Sequence, residues 1–292
     1  MAFTIMTDTS ANLPTRILKK HGVAVIPFVY TVNGDPRTCL DTDAFDGAAY
    51  YQAMREGMAV TTSQINPQQY LDAMGDVLAS GNDLLFIGMS SGISGSFHMA
   101  CLAAEELREE YPARQIRLID TLGASLGEGI LVLKAVRMRD KGASLEETWQ
   151  KLDTARHRMC QIFTVDDLMH LRKTGRLSGA VALVGTMLQI KPLLKGNEKG
   201  QIVTFSKVRG RKRAIEELAR RYAELVKNAG EQIVGIAHAD CPQDAGYLES
   251  LLRRLCPPRE ILTVCYEPVT GSHVGPGTLA LFFEGADGVR GI

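Results

Sequence analysis

The sequence predicts an α/β protein of two domains: a parallel-sheet N-terminal domain over residues 1–158 and a mixed-sheet α/β C-terminal domain over residues 159–292. Three observations predict this. In the first half, short apolar strand patterns alternate with helical patterns, as a parallel sheet covered on both faces requires. In the second half, two β-rich segments flank Gly196-Asn197-Glu198-Lys199-Gly200, which reads as a hairpin turn and implies a mixed sheet. Finally, 45% of the 292 residues are apolar, enough for full cores, and the length suits two domains better than one.

The elements follow in order. Phe3 to Met6 reads as a strand, and Asn12-Leu13-Pro14 as a helix start with Asn12 as cap and Pro14 in the first turn. Val23 to Val32 is β-rich, and Asp43 to Arg55 is helical. A helix over Pro67 to Ala79, capped by Asn66, precedes a buried strand over Leu84 to Met89. Next come a helix from Phe97, a strand over Ile116 to Ile119, a helix over Ala124 to Arg139 that stops near Gly142, and a helix over Leu145 to Arg158. The boundary falls near residues 157–160, with no Pro/Ser-rich linker. Beyond it, Gln161 to Val165 reads as a strand and Asp166 to Lys173 as a short helix. The hairpin arms are Ile190 to Lys195 and Gln201 to Lys207. A helix over Lys212 to Lys227, a strand over Ile233 to Ala237, a helix over Gln243 to Arg254 and a strand over Ile261 to Val264 complete the second layered unit.

Bulk properties exclude several functions. Lys plus Arg and Asp plus Glu each total 33, so a general nucleic-acid binder, which needs a basic surplus, is not expected. The six cysteines form no Cys-x-x-Cys pair, which argues against a zinc or redox site and for a reducing, cytoplasmic setting. The N-terminus lacks the pattern of a signal peptide. No apolar run reaches transmembrane length, and even Ala180 to Leu188 is too short. Transient contact with a membrane surface is left open.

Four groups of residues carry candidate chemistry. Ser90-Ser91-Gly92-Ile93-Ser94-Gly95-Ser96 lies between a buried strand and a helix, where unpaired N–H groups and hydroxyls suit an anion. It lacks the lysine of a Walker loop and any positive charge, so a single carboxylate fits better than a polyphosphate. Gly88-Met89-Ser90-Ser91-Gly92 also spells a nucleophile elbow, which makes a serine hydrolase the alternative, with Ser90 as nucleophile, His273 as base and Asp240 between them in sequence. Thr61-Thr62-Ser63-Gln64 places three hydroxyls just before the Pro67 helix, where ordinary capping is the bland explanation. His273-Val274-Gly275-Pro276-Gly277 places His273 on a loop. Two basic runs, Leu171 to Ser178 and Lys207 to Arg213, are either solvated faces or a patch for phosphate or an acidic partner. A regulatory module that uses this patch is a third reading.

Together with Asp8-Thr9-Ser10-Ala11-Asn12-Leu13-Pro14 and Ile119-Asp120-Thr121, these stretches, apart from Lys207 to Arg213, run in the same order as the motifs of the DegV family of bacterial fatty-acid-binding proteins, which the chain resembles over nearly its whole length. That family includes the lipid-binding subunits of bacterial fatty acid kinase. The resemblance implies two α/β domains with a long-chain fatty acid buried between or beneath them, and no cofactor. It implies that Thr62 and Ser91, with Ser63, Gly92, Ser94 and His273, surround the carboxylate, and that Arg176 lies nearby. It further implies a carrier that presents its lipid to a separate ATP-dependent kinase rather than an enzyme. Arg172, Arg176, Arg209 and Arg211 are the expected docking residues for an acidic kinase surface. The chain departs from the family where Ile65 stands near a common proline and Thr174 replaces a common glycine; neither change removes a polar ligand-binding residue.

Overall fold

The computed structural model describes residues 3–178 and 189–292, so the apolar run Ala180 to Leu188 lies outside the described residues. In chain order the elements begin with β1 (Phe3–Asp8), α1 (Thr15–Lys20), β2 (Ala24–Ile26), β3 (Val29–Val32), β4 (Asp35–Thr38) and α2 (Gly47–Arg55). They continue with β5 (Val60–Ser63), α3 (Pro67–Ala79), β6 (Asp83–Gly88), α4 (Ser96–Glu110), β7 (Ile116–Asp120), α5 (Leu126–Asp140) and α6 (Leu145–Arg156). The later elements are β8 (Met159–Thr164), α7 (Met169–Lys173), β9 (Ile190–Gly196), β10 (Ile202–Arg209), α8 (Arg211–Leu225), β11 (Ile233–His238), α9 (Pro242–Leu255), β12 (Glu260–Cys265), α10 (Pro268–Val274) and β13 (Leu279–Glu284). The chain divides into two compact units, one of Met1–Phe45 and Val60–Arg156, the other of Asp46–Ala59 and His157–Ile292.

The first unit is built on a parallel sheet of order β2-β1-β6-β7. β6 is buried along its whole length, as a central strand covered on both faces must be. Tyr70 of α3 meets Phe86 of β6 edge to face with ring centroids 5.4 Å apart, which adds specificity to the apolar burial. α3 starts as its sequence specifies: Asn66 and Gln69 form a reciprocal capping box and Pro67 occupies the first turn. The β-rich stretch Val23 to Val32 is two strands, because Pro27 offers no N–H to a ladder. β2 edges the parallel sheet, whereas β3 centres a separate antiparallel sheet of order β4-β3-β5. The hydroxyl run before α3 is therefore strand, not merely capping loop. Asn12 does not cap a helix start either. It closes a 3-10 turn (Thr9–Ala11) in the left-handed conformation, with φ of 54°, and α1 begins after Pro14.

The second unit holds a mixed six-stranded sheet of order β10-β9-β8-β13-β11-β12, in which only β11 and β12 run parallel. β9 and β10 form the hairpin that the Asn197-containing turn predicts. Its core sets Ile162, Leu193, Leu281 and Phe283 of the sheet against Ile215, Leu218 and Tyr222 of α8 and Leu248 and Leu252 of α9. Tyr222 and Phe283 pack edge to face at 5.1 Å.

α2 corrects the linear reading of the domains. Its place in the sequence puts it with the first half, yet it belongs to the second unit. Tyr51 is fully buried there and donates its hydroxyl to the Tyr266 carbonyl at 2.9 Å, while Tyr50 donates to the Pro268 carbonyl at 3.1 Å. A Cβ added at Gly271, on α10, would stand 1.8 Å from the Tyr51 hydroxyl oxygen and 2.9 Å from the ring carbon that carries it. Overpacking of this kind costs about 1–3 kcal/mol. We expect Gly271→Ala to destabilise the protein by about that amount in urea unfolding. Adding Tyr51→Phe should recover part of the loss, because it removes the nearest atom; no recovery would mean that the clash lies elsewhere.

Candidate functional site

The parallel sheet creates one special place. From β1 the chain passes to β2 on one side and later returns through β6 on the other, so the carboxyl ends of β1 and β6 flank a topological switch point. Open α/β sheets bind ligands in the crevice outside such a point. Asp8 ends β1, and Met89 and Ser90 follow β6.

The Asp8 carboxyl group ties the two exits together. One oxygen accepts the Ser10 N–H at 2.8 Å and the other the Met89 N–H at 3.1 Å. Beside it lies Glu128, fully buried in the first turn of α5, which accepts the Thr7 hydroxyl at 2.8 Å and the Ser10 hydroxyl at 2.6 Å. Asn12 donates to the Ser125 hydroxyl at 3.1 Å. α5 can approach this turn because Gly129 has no side chain; a Cβ there would lie 2.4 Å from the Ala11 carbonyl oxygen. Burial pushes the Asp8 carboxyl up to about 6, although the N–H donors of Ser10 and Met89 pull the other way. The sequence reading missed Glu128. Its signal was an acidic residue between Gly127 and Gly129 in the otherwise apolar first half of a helix.

Ser90 is the post around which the serine turn is built. It is fully buried, donates its N–H to the Gly123 carbonyl at 2.8 Å, and accepts the Gly92 N–H on its hydroxyl at 3.0 Å. Its carbonyl accepts the N–H groups of Ile93 and Ser94. Ser91 is exposed and faces Asp120, at the end of β7: its N–H lies 3.2 Å from one carboxylate oxygen and its hydroxyl 2.5 Å from the other. Gly92 and Ser94 are half-buried, and Ser94 accepts the Ser96 N–H at 3.2 Å. Thr62, half-buried, and Ser63, exposed, lie on β5 opposite Tyr30 and Val29. The segment they lead into adjoins the serine turn. The Ile65 N–H donates to the Ser96 hydroxyl at 3.3 Å, and a Cβ at Gly95 would stand 2.5 Å from the Gln64 side-chain oxygen. The first unit thus brings the Thr-Ser-Gln and Ser-Gly segments together.

The remaining candidates belong to the second unit. His273 lies in the last turn of α10, not on a loop, because Glu267 accepts the N–H groups of Val269 and Thr270 and so starts a helix that ends at Val274. Burial, with the Arg176 charge, pushes its imidazole down to about 4, so it is neutral near pH 7. The arginines differ from one another. Arg172 on α7 and Arg209 at the end of β10 are exposed, and Arg176 is half-buried and donates to the Thr174 carbonyl. Arg211 is held in place by Asp244 at 2.8 Å, the Gly277 carbonyl at 2.7 Å and Asp166 at 3.7 Å.

The nucleophile-elbow reading matches the letters of the sequence rather than the geometry. An elbow exposes its serine on a strained turn. Ser90 is buried, and it is not among the residues with positive φ. Asp240, the third member of that triad, is engaged by Arg55 at 2.5 Å. Among the described residues, no helix is long and apolar enough to cross a membrane.

Asp8 has a consequence for stability. Its value of about 6 lies above the ordinary 3.8, so between these limits the folded state binds the proton more tightly than the unfolded chain. This group therefore adds stability as pH falls through 6 towards 4, by about 3 kcal/mol at most for a shift of that size. We expect the stability of wild type relative to Asp8→Asn, from urea unfolding, to rise as pH falls from 7 to 4 and to stay flat above 7. A constant difference across that range would show that Asp8 titrates normally.

Comparison with known proteins agrees with this architecture. Residues 2–286 match the family described as "Uncharacterised protein, DegV family". A DegV domain-containing protein of Clostridium perfringens is 35% identical over 283 residues, covering 97% of each chain. Among solved structures, a DegV family protein from Thermus thermophilus described by its fatty acid binding is 30% identical and superposes with a TM-score of 0.86, covering 98% of this chain and 100% of that one. A fatty acid binding DegV family protein from Streptococcus agalactiae is 28% identical with a TM-score of 0.85, covering 98% and 99%. With sequence, motif order and fold in agreement along nearly its full length, this chain belongs to the DegV family.

Proposed function

We propose that this protein is a cytoplasmic carrier that binds one long-chain fatty acid, holds its headgroup at the serine turn, and presents it to a separate ATP-dependent kinase for acyl-phosphate formation. The observation that carries this reading is the serine turn at the switch point, with Ser91 exposed on it and the Thr62 segment alongside. The fatty acid binding described for the Thermus and Streptococcus relatives supplies the ligand class. Thr62 and Ser91 are the principal headgroup residues, with Ser63, Gly92 and Ser94 around them. Neutral hydroxyls suit one carboxyl group, and an acyl tail contributes about 0.8 kcal/mol per buried CH₂. For docking the kinase, the exposed Arg172 and Arg209 are better placed than Arg211, whose guanidinium is committed to Asp244.

Mass spectrometry of an organic extract from natively purified protein tests the ligand directly. We expect fatty acid in a ratio near one per chain; an empty protein that also takes up no added fatty acid would remove the reading. In the Thr62→Ala, Ser91→Ala double variant, two hydrogen bonds worth about 1 kcal/mol each are lost, so retention should weaken about 30-fold. The fold should survive, because neither residue is part of a core. Unchanged retention in the folded double variant would place the headgroup elsewhere.

A further inference from the structure

Ser91 has a single hydroxyl proton, and Asp120 holds it. The Ser91 hydroxyl lies 2.5 Å from one Asp120 oxygen, while the other oxygen accepts the N–H groups of Ser91 at 3.2 Å and Leu122 at 2.9 Å. The Asp120 carboxylate thus receives three donors. The turn that carries it is stiff: Leu122 is held with φ of 54°, a conformation rare for such a residue. Thr121 fastens the same turn to β6 by donating its hydroxyl to the Gly88 carbonyl at 2.8 Å, and Gly123 accepts the Ser90 N–H. On the other side, Arg156 donates to the Asp120 backbone carbonyl at 3.0 Å and pairs with Asp153 at 2.8 Å. Cys101 on α4 is a further titratable neighbour, its thiol raised by burial and by Glu105 and Asp120 and lowered by Arg108.

A hydroxyl whose proton is committed can only accept further hydrogen bonds. An ionised carboxylate that approached Ser91 would set acceptor against acceptor, with the Asp120 carboxylate directly behind. A neutral carboxylic acid has the O–H that such a site can receive. We propose that Asp120 is a positioning residue that holds Ser91 as a hydrogen-bond acceptor, so that the bound lipid headgroup is kept as the neutral acid. This rests on the fatty-acid reading above. It explains why the Ser91 hydroxyl is backed by a carboxylate. It also delivers the headgroup in a defined protonation state: a kinase partner must then take up that proton as a carboxyl oxygen attacks the γ-phosphorus of ATP, the bond from that phosphorus to the bridging oxygen breaks and ADP leaves.

The test uses the full-length protein loaded with [1-¹³C]oleate, with loading first counted by mass spectrometry. The ¹³C carboxyl resonance is then followed from pH 5 to 9 in wild type, Asp120→Ala and Asp120→Asn. We expect the wild-type resonance at pH 7.5 to sit at the neutral-acid position. Both variants, still loaded, should move its titration midpoint down by at least one pH unit, a response that a merely structural role would not give. A loaded wild type whose oleate is ionised at pH 7.5, or a midpoint unmoved in the variants, would overturn the proposal and leave the carrier reading intact. A wild type that takes up no oleate would overturn both. If neither variant loads, the wild-type resonance decides the matter alone.

Discussion

The site depends on one carboxyl group. Asp8 accepts an N–H from the loop that leaves β1 and another from the loop that leaves β6, and so fixes the spacing of the two segments that flank the switch point. A parallel sheet alone sets strand exits about 4.8 Å apart but leaves the following residues free to turn either way. The Asp8 bonds remove that freedom just where Ser90 and Ser91 begin. Ser90 can then be buried as the centre of its turn, and Ser91 is left to face Asp120 from the next strand. Three consecutive positions in the sheet, β1, β6 and β7, each contribute one polar residue at the carboxyl end, and each residue orients the next.

Such an arrangement is costly unless it is complete. A buried carboxyl group is costly unless its oxygens receive hydrogen bonds. Thr7 and Ser10 offset this for Glu128 by donating hydroxyl protons to it, and backbone N–H groups do so for Asp8. Asn12 and Ser125 bond to each other across the same turn. A buried network rigidifies a structure when its members are satisfied and destabilises it when they are not. The hydroxyl-rich stretch Thr7 to Ser10 therefore supports the site from beneath and need not touch a ligand itself.

Much of this was legible in the sequence, for local reasons. The helix Pro67–Ala79 carried its start signals in Asn66, Pro67 and Gln69, and its bounds matched. The Ser90 turn was visible because an apolar run meets a hydroxyl- and glycine-rich one before a helix. What escaped was long-range. Thr7 and Glu128 are 121 positions apart, and no spacing rule joins them. Asn12 carried a capping signal that tertiary contact with Ser125 overrode. The helix that holds His273 starts at Glu267-Pro268, a valid cap and first-turn pair, whereas the Gly-Pro-Gly that follows signals a loop, which begins only at Gly275. α2 has an ordinary amphipathic pattern, and nothing in such a pattern says which of two cores it joins.

Strain collects where the polar network does. Asn12, Leu122 and Ser125 all have positive φ, and all three belong to the turns around the carboxyl ends of β1 and β7. Non-glycine residues occupy that region at a cost, and persist there when the surroundings over-determine them. Here the surroundings are the hydrogen bonds of Asp120 to Leu122 and of Asn12 to Ser125. A site held this way is ordered before a ligand arrives, so little of the binding free energy goes into ordering loops. On the function proposed above, the headgroup contributes register, and most of the affinity is left to the tail. Under that proposed division, substitutions at the switch point should alter how a lipid is held more than which chain is chosen.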